Sequence, residues 1–173
     1  MLPVEMDLSK IEKLSIQKEN ENFKFRAFLR GIEPSEVDRI VHRLNRQVSR
    51  AIDCTECGNC CHSLVPGVTE EEISRLAELD HITAEEFAAK HLDDDKFSGN
   101  KFLKAIPCRY LEGKICSIYD MRPNECRSYP HLHKKGFVYR TLSVISNYGI
   151  CPIVFNVMEN LKAELNFKIH TAS

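Results

Sequence analysis

The stretch Cys54-Thr55-Glu56-Cys57-Gly58-Asn59-Cys60-Cys61 places four cysteines within eight positions of the chain. Two cysteines three residues apart can direct both sulfur atoms at one metal ion, because the turn between them points backbone N–H groups at the thiolates. Gly58 lies where this turn must bend tightly, and we expect it to adopt a positive φ. The stretch therefore predicts a metal-binding turn at the centre of the fold.

Four more cysteines follow this turn, so that the 173 residues contain eight: the further ones are Cys108, Cys116, Cys126 and Cys151. A chain of this length can bury a core without disulfides. The first residues have no apolar segment typical of a secretory signal, so a cytoplasmic, reducing location is expected. There, clustered cysteines indicate metal ligands before disulfides. All eight cysteines are therefore candidate metal ligands.

The spacing of the cysteines leaves the identity of the metal open between zinc and iron–sulfur. Residues 54–60 form the CxxCxxC tripod of bacterial ferredoxins, with Cys151, followed by a proline, as a remote fourth ligand. A second group then contains Cys61, Cys108, Cys116 and Cys126. Zinc held by four thiolates suits the same residue types. Because Cys60 and Cys61 are adjacent, their side chains are expected to diverge and not to bind one ion together.

Three residues near Cys126 are candidates for the surroundings of the metal or cluster: Arg122, Arg127 and Tyr119. The arginines could donate charge-assisted hydrogen bonds to thiolates, with ordinary ion pairs as the alternative. Tyr119 could donate to a thiolate, or could pack half-buried with its hydroxyl satisfied elsewhere.

The charge balance limits the classes of partner. Lysine and arginine total 24 and aspartate and glutamate total 25, giving a formal net charge of −1. This excludes a broadly basic nucleic-acid binder, although not a local basic patch. The chain has no apolar run of membrane-spanning length. We therefore expect metal ions as ligands, no membrane, no clear nucleic-acid partner, and a redox or protein partner that the sequence does not identify.

Apolar periodicity predicts an α-rich α+β fold, in which helices pack around a small irregular cysteine-rich metal-binding centre with a short β-hairpin. Residues 1–33 are expected to form an N-terminal helical arm, whose polar centre at 17–22 is exposed. Residues 34–173 are expected to form the metal-chelating domain. Pro34 and Pro152 begin predicted helices.

Shorter elements are predicted between these helices. Capping boxes at Thr69 and Thr83 each begin a short helix. Residues 93–101 are expected to be an exposed loop, and residues 106–119 a hairpin with one cysteine on each strand. Residues 137–143 are expected to be a strand.

The spacing of all eight cysteines resembles the CxxCxxCC, or YkgJ-like, family of zinc- or iron-chelating domains. The family pattern runs CxxCGxCC, C-x-x-L, C-x-I-Y-x-x-R-P-x-x-C-R, an aromatic-Pro step and C-P. This sequence matches it at residues 54–61, Cys108 with Leu111, residues 116–127, Tyr129-Pro130 and Cys151-Pro152. The resemblance implies metal chelation by these cysteines, and iron–sulfur clusters have been described in members of the family.

The leading hypothesis is a cytoplasmic metal-binding protein that chelates iron, as an iron–sulfur cluster, or zinc. An iron–sulfur centre would imply electron transfer or redox chemistry. The alternative is a structural zinc module that mediates protein or nucleic-acid interaction. A thiol redox enzyme is a third hypothesis, disfavoured because no βαβ pattern surrounds the CxxC motif. An iron–sulfur oxidoreductase activity stays open, and no residue is assigned a catalytic role.

Overall fold

A computed structural model describes residues 2–95 and 99–168 of the chain. In these ranges the helices are α1 (Leu8–Gln17), α2 (Glu19–Leu29), α3 (Pro34–Ser49), α4 (Cys54–Cys57), α5 (Glu70–Leu79), α6 (Ala84–His91), α7 (Asn124–Ser128), α8 (Phe137–Ser146) and α9 (Pro152–Glu164). The strands are β1 (Gly67–Val68), β2 (Leu92–Asp94), β3 (Lys101–Leu103), β4 (Leu111–Glu112) and β5 (Ile115–Cys116). The predicted α-rich α+β class is confirmed. No helix within the described ranges combines the length and apolar character needed to cross a bilayer.

The chain divides into two compact units. The first comprises residues 1–53 and 130–173, and the second comprises residues 54–129. Residues 1–33 thus belong with later helices to the first unit, and their separation as an arm stays a prediction. Seven cysteines lie in the second unit, whereas Cys151 lies in the first.

Helix α9 forms the centre of the first unit, where it packs against α1 and α3. Residues 152–162 of α9 are buried except for the half-buried Glu159. Two asparagines of this helix bind the extended N-terminal residues. The Asn156 amide donates to the Glu5 carbonyl and accepts from its N–H, both at 2.8 Å, and Asn160 accepts from the Leu2 N–H at 2.7 Å. These bonds satisfy amide groups that burial would otherwise leave without partners.

Polar residues of the predicted exposed segment 17–22 are partly buried, which corrects that prediction. The helical arm breaks at Lys18 into α1 and α2, and Asn22 is 1% exposed. Glu21 accepts a hydrogen bond from the buried Lys162 ammonium at 2.8 Å. A polar segment can be partly buried where distant residues of opposite charge pair with it. The local sequence does not show where such residues lie.

Residues 137–143 form most of helix α8, so the predicted strand is wrong. Apolar or buried positions at Phe137, Val138, Thr141 and Val144 recur at helical spacing. The helix begins where Gly136 adopts φ +73°. The Asp38 carboxylate of α3 accepts from the N–H groups of Gly136 and Phe137, both at 2.8 Å. This cap comes from a distant helix, so the segment itself carries no recognisable N-cap residue.

The second unit is built around a core of α5, α6 and short strands. Its buried residues are Ile73, Leu76, Ala77, Phe87, Leu92, Leu103 and Tyr110. Both predicted capping boxes are confirmed, with Thr69 and Thr83 bonded reciprocally to glutamates three residues later. Strands β1, β3 and β2 form an antiparallel sheet in that order, and β4 pairs with β5.

Two predictions for this unit need correction. The ends of the expected loop 93–101 belong to strands, because Asp94 of β2 pairs with Lys101 of β3 and the buried Leu92 pairs with the buried Leu103. Residues 96–98 of this segment lie outside the described residues. The hairpin carries Cys116 on β5, but Cys108 precedes β4 and does not lie on a strand. The Cys108 N–H instead donates to the Cys61 carbonyl at 2.8 Å.

Replacing the capping carboxylate should weaken the first unit. We expect Asp38→Ala to lower the free energy of unfolding by about 1–2 kcal/mol, because two N–H groups at the start of α8 lose their acceptor. Glu36→Ala is the matched control, since it removes an exposed carboxylate from the same helix. Urea denaturation followed by circular dichroism measures both, and equal losses would contradict the capping role.

Candidate metal centre

The CxxCGxCC turn consists of one short helix and one 3₁₀ turn joined at Gly58. Cys54 and Cys57 are the end residues of α4, and Cys60 and Cys61 lie on the 3₁₀ turn Asn59–His62. Gly58 has φ +60°, which confirms the predicted positive value. Its N–H donates to the Cys54 carbonyl and its carbonyl accepts from the Cys61 N–H, both at 3.1 Å. The relative position of the two cysteine pairs of the motif therefore depends on the left-handed conformation of Gly58.

Gly58 also lies directly against the β4–β5 hairpin. A Cβ at this position would approach the Lys114 carbonyl oxygen to 2.5 Å and its Cα to 3.0 Å. A second backbone contact is the 2.8 Å hydrogen bond from the Cys108 N–H to the Cys61 carbonyl. Together these contacts bring the turn against the segment that carries Cys108 and Cys116.

A buried carboxylate positions the helix that carries Cys126. Glu72 is 3% exposed, and its Oε2 accepts from the Thr69 N–H at 2.9 Å in the capping box of α5. Its Oε1 accepts from the Asn124 N–H at 2.7 Å, at the start of α7. One side chain thus caps two helices. The sequence indicates the first cap through its spacing, but it carries no signal for the second.

The structure brings four thiols together, which we call the inner thiols: Cys61, Cys108, Cys116 and Cys126. Burial, together with the charges of the other three inner thiols, raises the pKa of Cys126 to about 12. Burial also raises the pKa of Cys108 and of Cys116, and the charge of Cys61 acts on both in the same direction. The charge of Cys61 therefore acts on the thiols of Cys108, Cys116 and Cys126.

The thiols of Cys60 and Cys61 lie closer together than the sequence predicts for adjacent residues. Their thiols do not diverge, because Cys60 hydrogen-bonds the Cys61 sulfur and lowers its pKa to about 7. Both residues lie on the 3₁₀ turn that follows Gly58. Cys61 is consequently the inner thiol that ionises most readily.

The predicted surrounding residues Tyr119, Arg122 and Arg127 contact one another in the segment around Cys126. Arg122 lies 3.5 Å over the centre of the Tyr119 ring and donates to the Tyr119 carbonyl at 2.7 Å. Arg127 donates to the Arg122 carbonyl at 3.0 Å and to the Asp120 carbonyl. The Arg122 charge lowers the pKa of Cys116 and Cys126, opposing the effect of burial. A direct role of Arg122, Arg127 or Tyr119 toward a metal stays a prediction.

Arg109 is a further cation beside the inner thiols. It pairs with Asp80, lies 4.8 Å from the centre of the Tyr110 ring, and lowers the pKa of Cys108. This arginine is held by an ion pair and a cation–π contact, so its charge is fixed near the site.

The chemistry of the donor set fits zinc or iron. Each of the eight cysteines is a reduced thiol. Soft thiolates are the ligands that zinc and iron–sulfur clusters share, and two fixed guanidinium groups lie near enough to offset thiolate charge. Among residues 2–95 and 99–168, no three His, Cys, Asp or Glu side chains are already arranged to hold an ion. Cys151 is buried next to the start of α9 in the first unit.

One family model matches this chain. Its description is "Putative zinc- or iron-chelating domain", with the short name CxxCxxCC, and the match covers residues 53–144. These residues make up more than half of the chain and include seven cysteines, whereas Cys151 lies beyond the matched end. No curated protein and no solved structure matches the chain.

The close approach at Gly58 can be separated from its backbone conformation. Gly113 has φ +64° with open space around it, so Gly113→Ala should cost only the left-handed strain of about 1–2 kcal/mol. Gly58→Ala adds a collision with the Lys114 backbone, and we expect a loss of unfolding free energy larger by about 1–3 kcal/mol. Chemical denaturation of variants with equal metal content measures the difference. Equal losses would show that the contact with Lys114 is unimportant.

The thiols should also differ in reactivity with pH. Alkylation requires the thiolate, so its rate rises as the pH passes through the pKa. In metal-free protein, iodoacetamide should label Cys61 half-maximally near pH 7, the pKa to which Cys60 lowers it, and Cys126 should resist labelling at pH 9. Peptide mass spectrometry across this range provides the measurement. Cys60→Ala should shift the Cys61 profile to higher pH, and an unchanged profile would contradict the hydrogen bond.

Proposed function

Because the chain belongs to the CxxCxxCC family of zinc- or iron-chelating domains, we propose that its clustered cysteines bind zinc or iron as thiolate ligands. The proposed ligands are the eight cysteines of the motif pattern. The inner thiols form one set, and Cys54, Cys57 and Cys60 belong to the other. Arg122 and Arg127 are proposed to stabilise the charge of the thiolates, with Tyr119 holding Arg122 in place.

The observation that carries this proposal is the contact between the turn and the hairpin. The Cys108 N–H bonds to the Cys61 carbonyl at 2.8 Å, and Gly58 leaves no room for a side chain against Lys114. These backbone contacts bring the turn that carries Cys60 and Cys61 against the segment that carries Cys108 and Cys116. A core alone needs no such concentration of thiols, because a buried cysteine packs as an ordinary small apolar residue.

The bound group would supply different chemistry in the two cases. Zinc would cross-link the irregular segments between α4 and α7 and stabilise their fold. An iron–sulfur cluster would add the ability to accept and release an electron. In either case the cysteine thiols would lose their protons when they bind the metal. Since burial raises the pKa of Cys108, Cys116 and Cys126, metal loading should weaken as the pH falls.

Anaerobic purification followed by analysis of zinc, iron and acid-labile sulfide tests the proposal directly. Iron with matching sulfide and visible absorbance supports an iron–sulfur centre with an electron-transfer role. Stoichiometric zinc without colour supports the structural module, whose partner is then sought. Protein that contains neither metal and binds neither on addition would overturn the proposal.

Single substitutions test the inner thiols. We expect Cys126→Ser to reduce bound metal by one site, because it removes a ligand from this set, and Ser128→Ala on the same helix to leave it unchanged. Titration with Co²⁺ is the measurement, since thiolate-to-metal charge-transfer absorption reports the number of sulfur ligands. A Cys126→Ser protein with the wild-type Co²⁺ spectrum would rule out Cys126 as a ligand. Cys57→Ser tests the other set in the same way.

A further inference from the structure

The outward face of α3 carries a row of cations, which we call the basic stripe: Arg39, His42, Arg43, Arg46 and Arg50. The four arginines are exposed and His42 is half-buried. At 3.6 residues per turn these side chains fall within about 100° of arc. The opposite face holds the buried core residues Val37, Val41, Leu44 and Val48, each 0% exposed. The stripe belongs to the first unit and contains none of the cysteines.

A fixed loop extends the basic stripe with further cations. His133, Lys134 and Lys135 are exposed in the loop before α8. Arg140 donates to the carbonyls of His131 and Lys135, both at 3.2 Å, and thereby holds the loop in shape. The His42 Nε2 lies 3.4 Å from the Lys134 carbonyl, so the loop adjoins the stripe. The two lysines therefore add positive charge to the same face.

Most of the stripe has no internal counter-charge. Arg43 pairs with Glu164 at the end of α9. Among the described residues, no carboxylate pairs with Arg39, Arg46 or Arg50. Like charges spaced three or four residues apart lower helix stability by about 0.2–0.5 kcal/mol per pair. The stripe thus weakens α3, and within the described residues Arg43 alone of its arginines has a compensating ion pair.

The shape of the stripe favours a linear polyanion. At 1.5 Å per residue, the distance from Arg39 to Arg50 along the helix is about 16 Å. A nucleic-acid strand in a duplex carries one phosphate per about 3.4 Å of axis, so several phosphates fall within this length. Arginine is also the residue that best fits phosphate geometry, because its planar guanidinium group donates in pairs. Charge and spacing therefore both match a phosphodiester backbone.

Two other kinds of partner fit less well. Stable protein interfaces are centred on apolar or aromatic residues, and the arc of the stripe contains none. A membrane-surface helix inserts its apolar face into the bilayer, but the apolar face of α3 is buried in the core of its own unit.

We propose that the basic stripe of α3, with Lys134 and Lys135, binds the phosphodiester backbone of a nucleic acid without reading its sequence. The site goes beyond the proposed metal chelation and does not depend on it. Base edges would not be contacted, so affinity should depend on salt and not on sequence.

Fluorescence anisotropy with the full chain tests this site, using labelled two-turn duplexes of DNA and of RNA and a single-stranded RNA. We expect dissociation constants of about 10⁻⁶–10⁻⁴ M at physiological salt. The triple variant R39Q/R46Q/R50Q should bind at least about tenfold more weakly at low salt. It should also reduce the slope of log K against log salt by about 3. The three probes distinguish DNA from RNA and duplex from single strand.

The matched control is K13Q/K24Q/R30Q, which removes three exposed cations from α1, the middle of α2 and the C-cap of α2. Circular dichroism checks that both triple variants keep the wild-type helix content. Retained binding by the control with loss in the stripe variant supports the site. Three results would overturn it: no binding of any probe by the wild type, equal loss in both variants, or equal displacement by poly-glutamate, which would indicate an acidic protein as the partner. If the stripe variant unfolds, R46Q alone should lower the salt slope by about 1, and an unchanged slope would count against the site.

Discussion

The second unit depends on the absence of a side chain at Gly58. At this residue the cysteine-rich turn reverses direction with φ +60° and its backbone meets the Lys114 carbonyl of the hairpin. Only glycine satisfies both conditions without strain or collision. The contact places the first cysteine cluster beside Cys108 and Cys116, so the position of the thiols follows from backbone packing.

In each unit one carboxylate joins helices that are far apart in the sequence. Glu72 joins the starts of α5 and α7, and Asp38 joins α3 to the start of α8. A helix start exposes N–H groups that need acceptors, and a carboxylate brought by the fold provides them as well as a local cap does. Such bonds fix which helices lie together, whereas apolar packing alone tolerates many arrangements.

Local patterns predicted much of the fold, and the failures share one cause. The capping boxes at Thr69 and Thr83, the helix that begins at Pro34 and the left-handed Gly58 depend on residues within a few positions, and all are confirmed. Helix α8 and the half-buried Glu21 depend on partners about 100 residues or more away, which no local pattern contains. The metal ligands were chosen by motif spacing, and their assignment stays a prediction.

The net charge of the whole chain concealed the basic stripe in the same way. The acidic residues of the chain nearly equal its lysines and arginines in number. Most of them, however, do not lie beside the arginines of the basic stripe. Only the position of α3, with one face buried in its unit, shows which of its side chains stand together in solvent. Composition therefore excluded a uniformly basic protein but gave no information on this face.

The order of the two units along the chain has a consequence for folding. The second unit is one continuous segment, residues 54–129, inserted between α3 and α8 of the first. Closing a flexible loop costs entropy that grows only with the logarithm of its length, about 0.6 kcal/mol per doubling. The helices of the first unit can therefore associate across the insertion at little extra cost, whether or not the inserted segment has folded. If the cysteine-rich insertion lost its order, it would become a loop tethered at both ends. The five helices of the first unit, α1, α2, α3, α8 and α9, would stay assembled.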